Sequence, residues 1–258
     1  MTIIRVLYRS LGLILITGAS VAIPLLARIL TLNSTSLSAR VGSRALSFWS
    51  RSLCTILGVR IRATGRPSGE IYLVASNHVS YLDIWVLGSL YPSLFVAKRE
   101  IRSWPVLGWV SRAAGTLFVD RDSPRDAVRV IRSMKKYLAA GISITLFPEG
   151  SISKGKSVQP FLPTLLEPAA TIGVPCYAVS LSYETPGTPE PPSRTICWDG
   201  GRNFVKHIVG IMQMPSVVAT VSFSPTPVSS SSRKELAERL WEEVSGSFIP
   251  LRQEADRP

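Results

Sequence analysis

Histidine, cysteine and acidic side chains are all scarce in this 258-residue chain, and each scarcity removes a class of function. The two histidines, His78 and His207, lie far apart, so no His-x-x-x-His pair exists to hold a catalytic zinc. The three cysteines, Cys54, Cys176 and Cys197, are widely spaced and odd in number. They supply neither a disulfide framework nor a zinc motif, and they fit a reducing compartment with thiols as core filler. Asp and Glu total 17 against 29 Lys and Arg, for a net charge of +12. That balance suits nucleic acid, anionic lipid or phosphorylated small molecules. Zinc-finger spacing, an RNP-like aromatic motif and long Lys/Arg blocks are all missing, which argues against nucleic acid. A Gly-x-Ser-x-Gly elbow is missing too; Gly141-Ile142-Ser143-Ile144-Thr145 falls short of it, so a serine hydrolase is disfavoured.

Apolar residues, by contrast, are abundant: 46% hydrophobic against 18% charged, which points to membrane contact. They concentrate near the N-terminus. From Leu11 to Ala27 the chain carries no charge for about 17 residues, the short edge of what spans a bilayer. Arg5 and Arg9 precede the run, Pro24 interrupts it and Arg28 closes it. Three readings stay open: a spanning helix, a helix lying in the interface, and a signal peptide cleaved near Ser20-Val21-Ala22. A retained anchor is the preferred one. Residues 36–58 then read as an amphipathic helix. Leu37, Val41, Leu46, Phe48, Trp49, Leu53 and Ile56 interleave with Arg40, Arg44 and Arg51. It fits either an anionic headgroup layer or the surface of a folded domain, and the neighbouring apolar segment tilts the reading toward the membrane. Residues 1–58 are therefore expected as membrane-anchoring helices and 59–258 as one folded domain.

From Val59 onward short strands alternate with helices. Strands are expected at Ile71–Ala75, Ser93–Lys98, Gly115–Val119, Ile142–Phe147, Pro175–Ser182, Thr195–Trp198 and Val217–Phe223. Helices are expected at Ser80–Tyr91, Trp104–Ala114, Pro124–Ala140, Pro163–Ile172, Asn203–Met212 and Arg233–Ser245. The pattern predicts an α/β fold: a mixed, largely parallel sheet flanked by helices, behind an N-terminal membrane-associated helical segment.

Three polar clusters each follow an expected buried strand: Asn77-His78 to Asp83, Asp120-Arg121, and Pro148-Glu149-Gly150-Ser151. On an ideal helix, five residues turn roughly 500°, leaving His78 and Asp83 about 140° apart. They can meet only if His78 sits in a turn and Asp83 in the first helical turn behind it, where Asp also suits the helix dipole. Taken alone, the stretch reads equally as a general-base pair or as a structural turn. Asp120-Arg121 alone reads as a solvated strand end, and Glu149-Gly150 as a surface turn. Ligands of α/β sheets bind at the carboxyl ends of strands, so three such clusters converging on one cleft favour a site.

These blocks resemble the bacterial glycerolipid acyltransferases typified by 1-acylglycerol-3-phosphate acyltransferase. Asn77 to Asp83 matches the family's Asn-His-x-x-x-x-Asp. Gly115, Phe118 and Arg121 match Gly-x-x-Phe-x-x-Arg, and Phe147, Pro148, Glu149, Gly150 and Ser153 match Phe-Pro-Glu-Gly-Thr-x-Ser. Val174-Pro175 to Val179 matches a later apolar strand. The match runs in order from about residue 70 to 180. Ser151 replaces the usual Thr and keeps the hydroxyl. Ile152 stands where many members carry an Arg linked to the acceptor's phosphate, so Lys98 or Lys154 would have to supply that charge. A branch that acylates lyso-ornithine lipid also lacks this Arg. Its Trp-x-Gly-Asp segment is similar to Cys197-Trp198-Asp199-Gly200, with Asp and Gly in a different order.

The resemblance implies transfer of a fatty acyl chain from an acyl-CoA or acyl carrier protein thioester to a lysolipid hydroxyl in phospholipid biosynthesis. The acceptor it implies is 1-acylglycerol-3-phosphate, with lyso-ornithine lipid as the alternative. It implies His78 as general base and Asp83 as its orienting partner. Asn77, Lys98, Arg121, Phe147, Glu149, Gly150 and Ser151 would form the substrate-binding set, with Arg121 clamping a phosphate. No metal or resident cofactor is expected. Anionic lipids and the cell membrane, with the catalytic domain on the cytoplasmic side, complete the expectation. His207 reads as a packing or surface residue. A non-catalytic lipid-binding protein on the same fold is the remaining alternative.

Overall fold

A computed structural model describes the backbone of residues 2–30, 35–69, 71–198 and 200–253, and their side chains apart from 23–30 and 35. Two helices, α1 (Thr2–Leu30) and α2 (Thr35–Leu57), precede the strands. Among the described residues seven strands form one sheet. They are β1 (Val59–Thr64), β2 (Leu73–Ser76), β3 (Leu94–Lys98), β4 (Leu117–Val119), β5 (Ile144–Leu146), β6 (Cys176–Glu184) and β7 (Val217–Phe223). The remaining helices are α3 (Leu82–Leu90), α4 (Leu107–Ala113), α5 (Pro124–Ala139), α6 (Glu167–Ile172), α7 (Pro192–Thr195), α8 (Phe204–Gln213) and α9 (Arg233–Ser247).

The strand order is β1-β7-β6-β2-β5-β3-β4. Strands β6, β2, β5, β3 and β4 run parallel; β7 is antiparallel to β6, and β1 follows β7. The sheet is thus mixed and mostly parallel. The carboxyl ends of β2, β3, β4 and β5 consequently lie along one edge, and all the polar clusters of the sequence fall on that edge. The central strand β2 is buried on both faces, which is why it reads as an unbroken apolar run. Alternation sends Val74, Tyr177, Val179, Leu181 and Tyr183 to one core and Leu73, Ala75, Cys176 and Ala178 to the other. Helix α3 lies on the first face, and α5 and α9 on the second.

Helix α2 belongs to that first core. Its Leu46, Trp49, Leu53, Cys54 and Leu57 are buried against the α/β layers. Arg51 donates through Nε to the Ser89 carbonyl at 2.7 Å, and Arg40 donates to the Ala140 carbonyl. Of the two readings of this helix, these contacts fit the folded-domain one. Packing runs without a break across residue 58. Helix α1 continues through Pro24 and has two stripes. Val6, Arg9, Leu13, Ile16, Thr17 and Ser20 face the protein, whereas Ile3, Ile4, Leu7, Leu11, Ile14 and Leu15 are exposed. Arg9 is buried and donates to the carbonyls of Met212 and Met214, at 3.0 and 2.9 Å, where α8 ends. Trp49 donates to the Thr17 hydroxyl at 3.1 Å.

Three expectations change. Strand β1 is not among the expected strands: Arg60 and Arg62 leave it no apolar run, and its pairing with β7 defines it. Thr195–Trp198 is not a strand. Pro191 and Pro192 start the one-turn helix α7, and the chain then turns so that the Trp198 amide reaches the Val79 carbonyl at 3.2 Å. Trp104–Ala114 is not one helix, since Val106 adopts φ 62° and α4 begins only at Leu107.

Replacing Arg9 with Met should cost about 3 kcal/mol of stability, because two buried carbonyls lose a charged donor. Denaturant unfolding in neutral detergent checks this; an unchanged midpoint would mean that α1 is not docked through Arg9.

Candidate active site

Strand β2 ends because a side chain takes over its hydrogen bonding. Asn77 Nδ2 donates to the Leu181 carbonyl at 2.9 Å, and the Leu181 amide donates to Asn77 Oδ1 at 2.7 Å. The amide group copies a backbone peptide and continues the ladder with β6. The backbone of His78 is then free to leave the sheet. Both ends of the Asn77 amide bond to Leu181 and the residue is buried, so it ties the turn to the sheet.

The turn is wrapped around one carboxylate. Asp83, the second residue of α3, has no exposed surface. Its Oδ2 accepts from the amides of Val79 at 2.7 Å and Ser80 at 2.9 Å, and lies 2.7 Å from His78 Nδ1. Its Oδ1 accepts from the Tyr183 hydroxyl at 2.7 Å. An ionised carboxylate can only accept, so His78 Nδ1 carries a proton and Nε2 presents its lone pair. The imidazole side chain is 14% exposed, enough to meet a substrate that cannot reach Asp83. Phe147 stacks on the ring at 4.0 Å between centroids, 15° from parallel, which fixes the ring plane. Burial, and Asp83 beside it, raise the Tyr183 hydroxyl well above the usual phenol range, so it stays a donor.

A second carboxylate holds the backbone of the turn. Glu149 Oε1 accepts from the His78 amide at 2.6 Å and Oε2 from the Gln159 amide at 3.0 Å. The His78 carbonyl in turn accepts from the Ser153 amide at 2.8 Å. Gly150 makes this loop possible: it has φ 74°, and a Cβ there would meet Leu162 at 2.7 Å. Burial pushes the Glu149 carboxyl up to about 7, against the pull of its two backbone donors.

The other expected residues sit on the same sheet edge but outside this knot. Arg121 follows β4, is exposed, and makes no hydrogen bond to another described residue. Lys98, at the end of β3, pairs with Glu100 at 3.0 Å, and Arg99 pairs with Asp120 at 3.0 Å. Ser151 is exposed beside Gly150. Ile152 packs against the first core. His207 lies elsewhere, with Nδ1 2.8 Å from the Tyr81 hydroxyl; burial lowers it to about 4, so it is neutral. Trp198 and Phe204 ring Tyr81 at 5.6 and 5.0 Å, and Asp199 lies outside the described residues. Among the described residues no group of three His, Cys, Asp or Glu could hold a metal ion.

Sequence reasoning missed Tyr183. The signal was there, since a phenol two positions after Leu181 on an apolar strand must send its hydroxyl to a buried partner.

The comparisons place this His–Asp turn on a mostly parallel sheet within an acyltransferase. A family profile described as Acyltransferase matches residues 59–182. A lyso-ornithine lipid O-acyltransferase of Pseudomonas aeruginosa is 31% identical over 202 residues, 78% of this chain and 77% of that protein. A 1-acyl-sn-glycerol-3-phosphate acyltransferase of Neisseria meningitidis serogroup B is 40% identical over 144 residues, 55% of this chain and 56% of that protein. The crystal structure of the 1-acyl-sn-glycerophosphate (LPA) acyltransferase PlsC from Thermotoga maritima shares the fold, with TM-score 0.65 and 22% identity over 95% of each chain. The chain belongs to the acyltransferase family.

Tyr183→Phe should lower kcat about tenfold with KM within twofold, because Asp83 loses a donor worth roughly 1.5 kcal/mol or more while the substrate surface stays intact. An unchanged kcat would remove Tyr183 from the site. Glu149 yields a pH prediction. Its folded pKa of about 7 lies above the ordinary 4.5, so its contribution to stability is complete below that ordinary value and is lost as pH rises through 7. Wild type should therefore lose more stability than Glu149→Gln between pH 5 and pH 7.5, by about 2–3 kcal/mol. Parallel unfolding profiles would contradict the burial argument.

Proposed function

We propose that the protein transfers an acyl group from a thioester donor, acyl-CoA or acyl carrier protein, to the hydroxyl of a lysolipid. The observation that carries this reading is the His78–Asp83 pair, with Nδ1 2.7 Å from Oδ2 and the imidazole side chain 14% exposed, which leaves Nε2 to act as the base. The acceptor hydroxyl attacks the thioester carbonyl while Nε2 takes its proton. A C–O bond forms, the C–S bond breaks, and the imidazolium returns the proton to the departing thiolate. The acceptor oxygen is itself the nucleophile, so no acyl-enzyme is required and no resident cofactor is needed.

The first acceptor is 1-acylglycerol-3-phosphate. Arg121 supports it, as an exposed guanidinium on the same sheet edge as His78, suited to a phosphate monoester. A second reading, lyso-ornithine lipid, rests on Ile152, which packs apolar surface where an arginine would serve the phosphate. Relatives aligned over more than two thirds of their own length also bear that name, in Pseudomonas aeruginosa and at 34% identity in Rhodobacter capsulatus. Both acceptors are membrane lipids. Among the described residues Thr2–Ala22 is long and apolar enough to cross a bilayer. Its inner stripe is bonded to the protein, so its exposed stripe would enter one leaflet while the helix is retained. Cytosolic acyl donors would support a catalytic domain on the cytoplasmic face.

An acceptor panel with labelled donor, on wild type and His78→Ala, tests the reading. Wild type should acylate a lysolipid, and His78→Ala should fall at least about 100-fold, the scale of general-base catalysis. Turnover by the variant at the wild-type rate would refute the general base, and no turnover by wild type with any acceptor would favour a lipid-binding protein. Ile152→Arg should shift preference toward 1-acylglycerol-3-phosphate. Intact mass reporting loss of the first turns of α1 would refute retention.

A further inference from the structure

A cavity of about 770 Å³ opens between the start of α1, the loop after β6, and α8. It shares no lining residue with the His78 site. Among the described residues its wall carries Arg5, Arg194, Arg202 and Lys206 against one carboxylate, Glu190, so four positive charges less one negative leave an excess of three there. Arg194 and Glu190 pair at 3.2 Å. Arg5 is anchored to the Gln213 carbonyl at 2.7 Å, and Arg202 donates to the Arg194 and Cys197 carbonyls. Two of the four cations are thus fixed in place by backbone oxygens, and among the described residues no carboxylate pairs with either.

The position of the cleft identifies its occupant. Thr2 and Arg5 line it, while Ile3, Ile4 and Leu7 on the same turns of α1 are exposed. If those apolar side chains enter the acyl layer, the cleft opens at headgroup depth, where each basic side chain attracts an anionic surface. The inner wall is His207, which meets Tyr81, two residues before Asp83.

We propose that this cleft binds the phosphate headgroup of an anionic membrane phospholipid and seats the enzyme on anionic bilayers. The proposal rests on the membrane-enzyme reading but adds a lipid that is neither donor nor acceptor. The source is the bilayer rather than dissolved phosphate, because the apolar stripe of α1 adjoins the cleft.

The test is co-sedimentation of the full chain with vesicles of phosphatidylcholine, with and without phosphatidylglycerol. Wild type should bind the anionic vesicles more tightly, and Arg194→Glu with Lys206→Glu should reduce that preference on the order of tenfold. A control pair, Arg125→Glu with Lys136→Glu, carries the same charge change on α5, which packs on the opposite face of the sheet. It should keep the wild-type preference, and thermal melting confirms that each variant folds. Equal losses in both pairs would mean diffuse attraction and overturn the site. So would loss of the preference on adding inorganic phosphate at unchanged ionic strength, which would assign the cleft to a free anion. The readout is vesicle binding, so its failure leaves acyl transfer in detergent intact and is distinguishable from failure of the functional reading.

Discussion

Everything around the site depends on satisfying one buried carboxylate. Asp83 has no solvent and would be costly in the interior without partners. Its donors come from three places: the turn amides of Val79 and Ser80, the imidazole, and Tyr183 on the neighbouring strand. The same bonds that solvate the charge set the turn, select the imidazole tautomer and link α3 to β6. Stability and chemistry are therefore not separable here; loosening the carboxylate would loosen the base.

The sheet supplies the rest of the precision. Parallel strands bring the ends of β2, β3, β4 and β5 to one edge without long loops. Asn77 ends β2 by imitating a peptide, and Glu149 holds the His78 amide from the loop after β5. Phe147 covers one face of the ring. Two of the side chains expected to touch substrate, Asn77 and Glu149, thus spend their polar atoms on backbone. Arg121, by contrast, is exposed beside the Glu100 charge and makes no hydrogen bond to another described residue.

Much of this was legible in the sequence, for definite reasons. The five-residue spacing forced His78 into a turn and Asp83 onto the helix behind it. The apolar runs after Val59 marked a parallel sheet, and Ser123 before Pro124 marked a helix start that its side chain does cap. What escaped detection depends on partners distant in sequence. Tyr183 and Asp83 are 100 positions apart, as Arg9 is far from Met212, and nothing local announces either pair. Strand β1 is defined by pairing with a strand near the other end of the chain. Thr195–Trp198 carries β-branched and aromatic residues, but the preceding prolines and the reach of Trp198 to Val79 decide its path.

The central claim is that Asp83 fixes His78 with a proton on Nδ1 and a bare Nε2. With only two histidines in the chain, imidazole 15N NMR resolves this directly, and His207→Gln assigns the pair. The account predicts a protonated Nδ1 and an unprotonated Nε2 for His78 in the resting enzyme near neutral pH. A proton on Nε2 with a bare Nδ1 would contradict it.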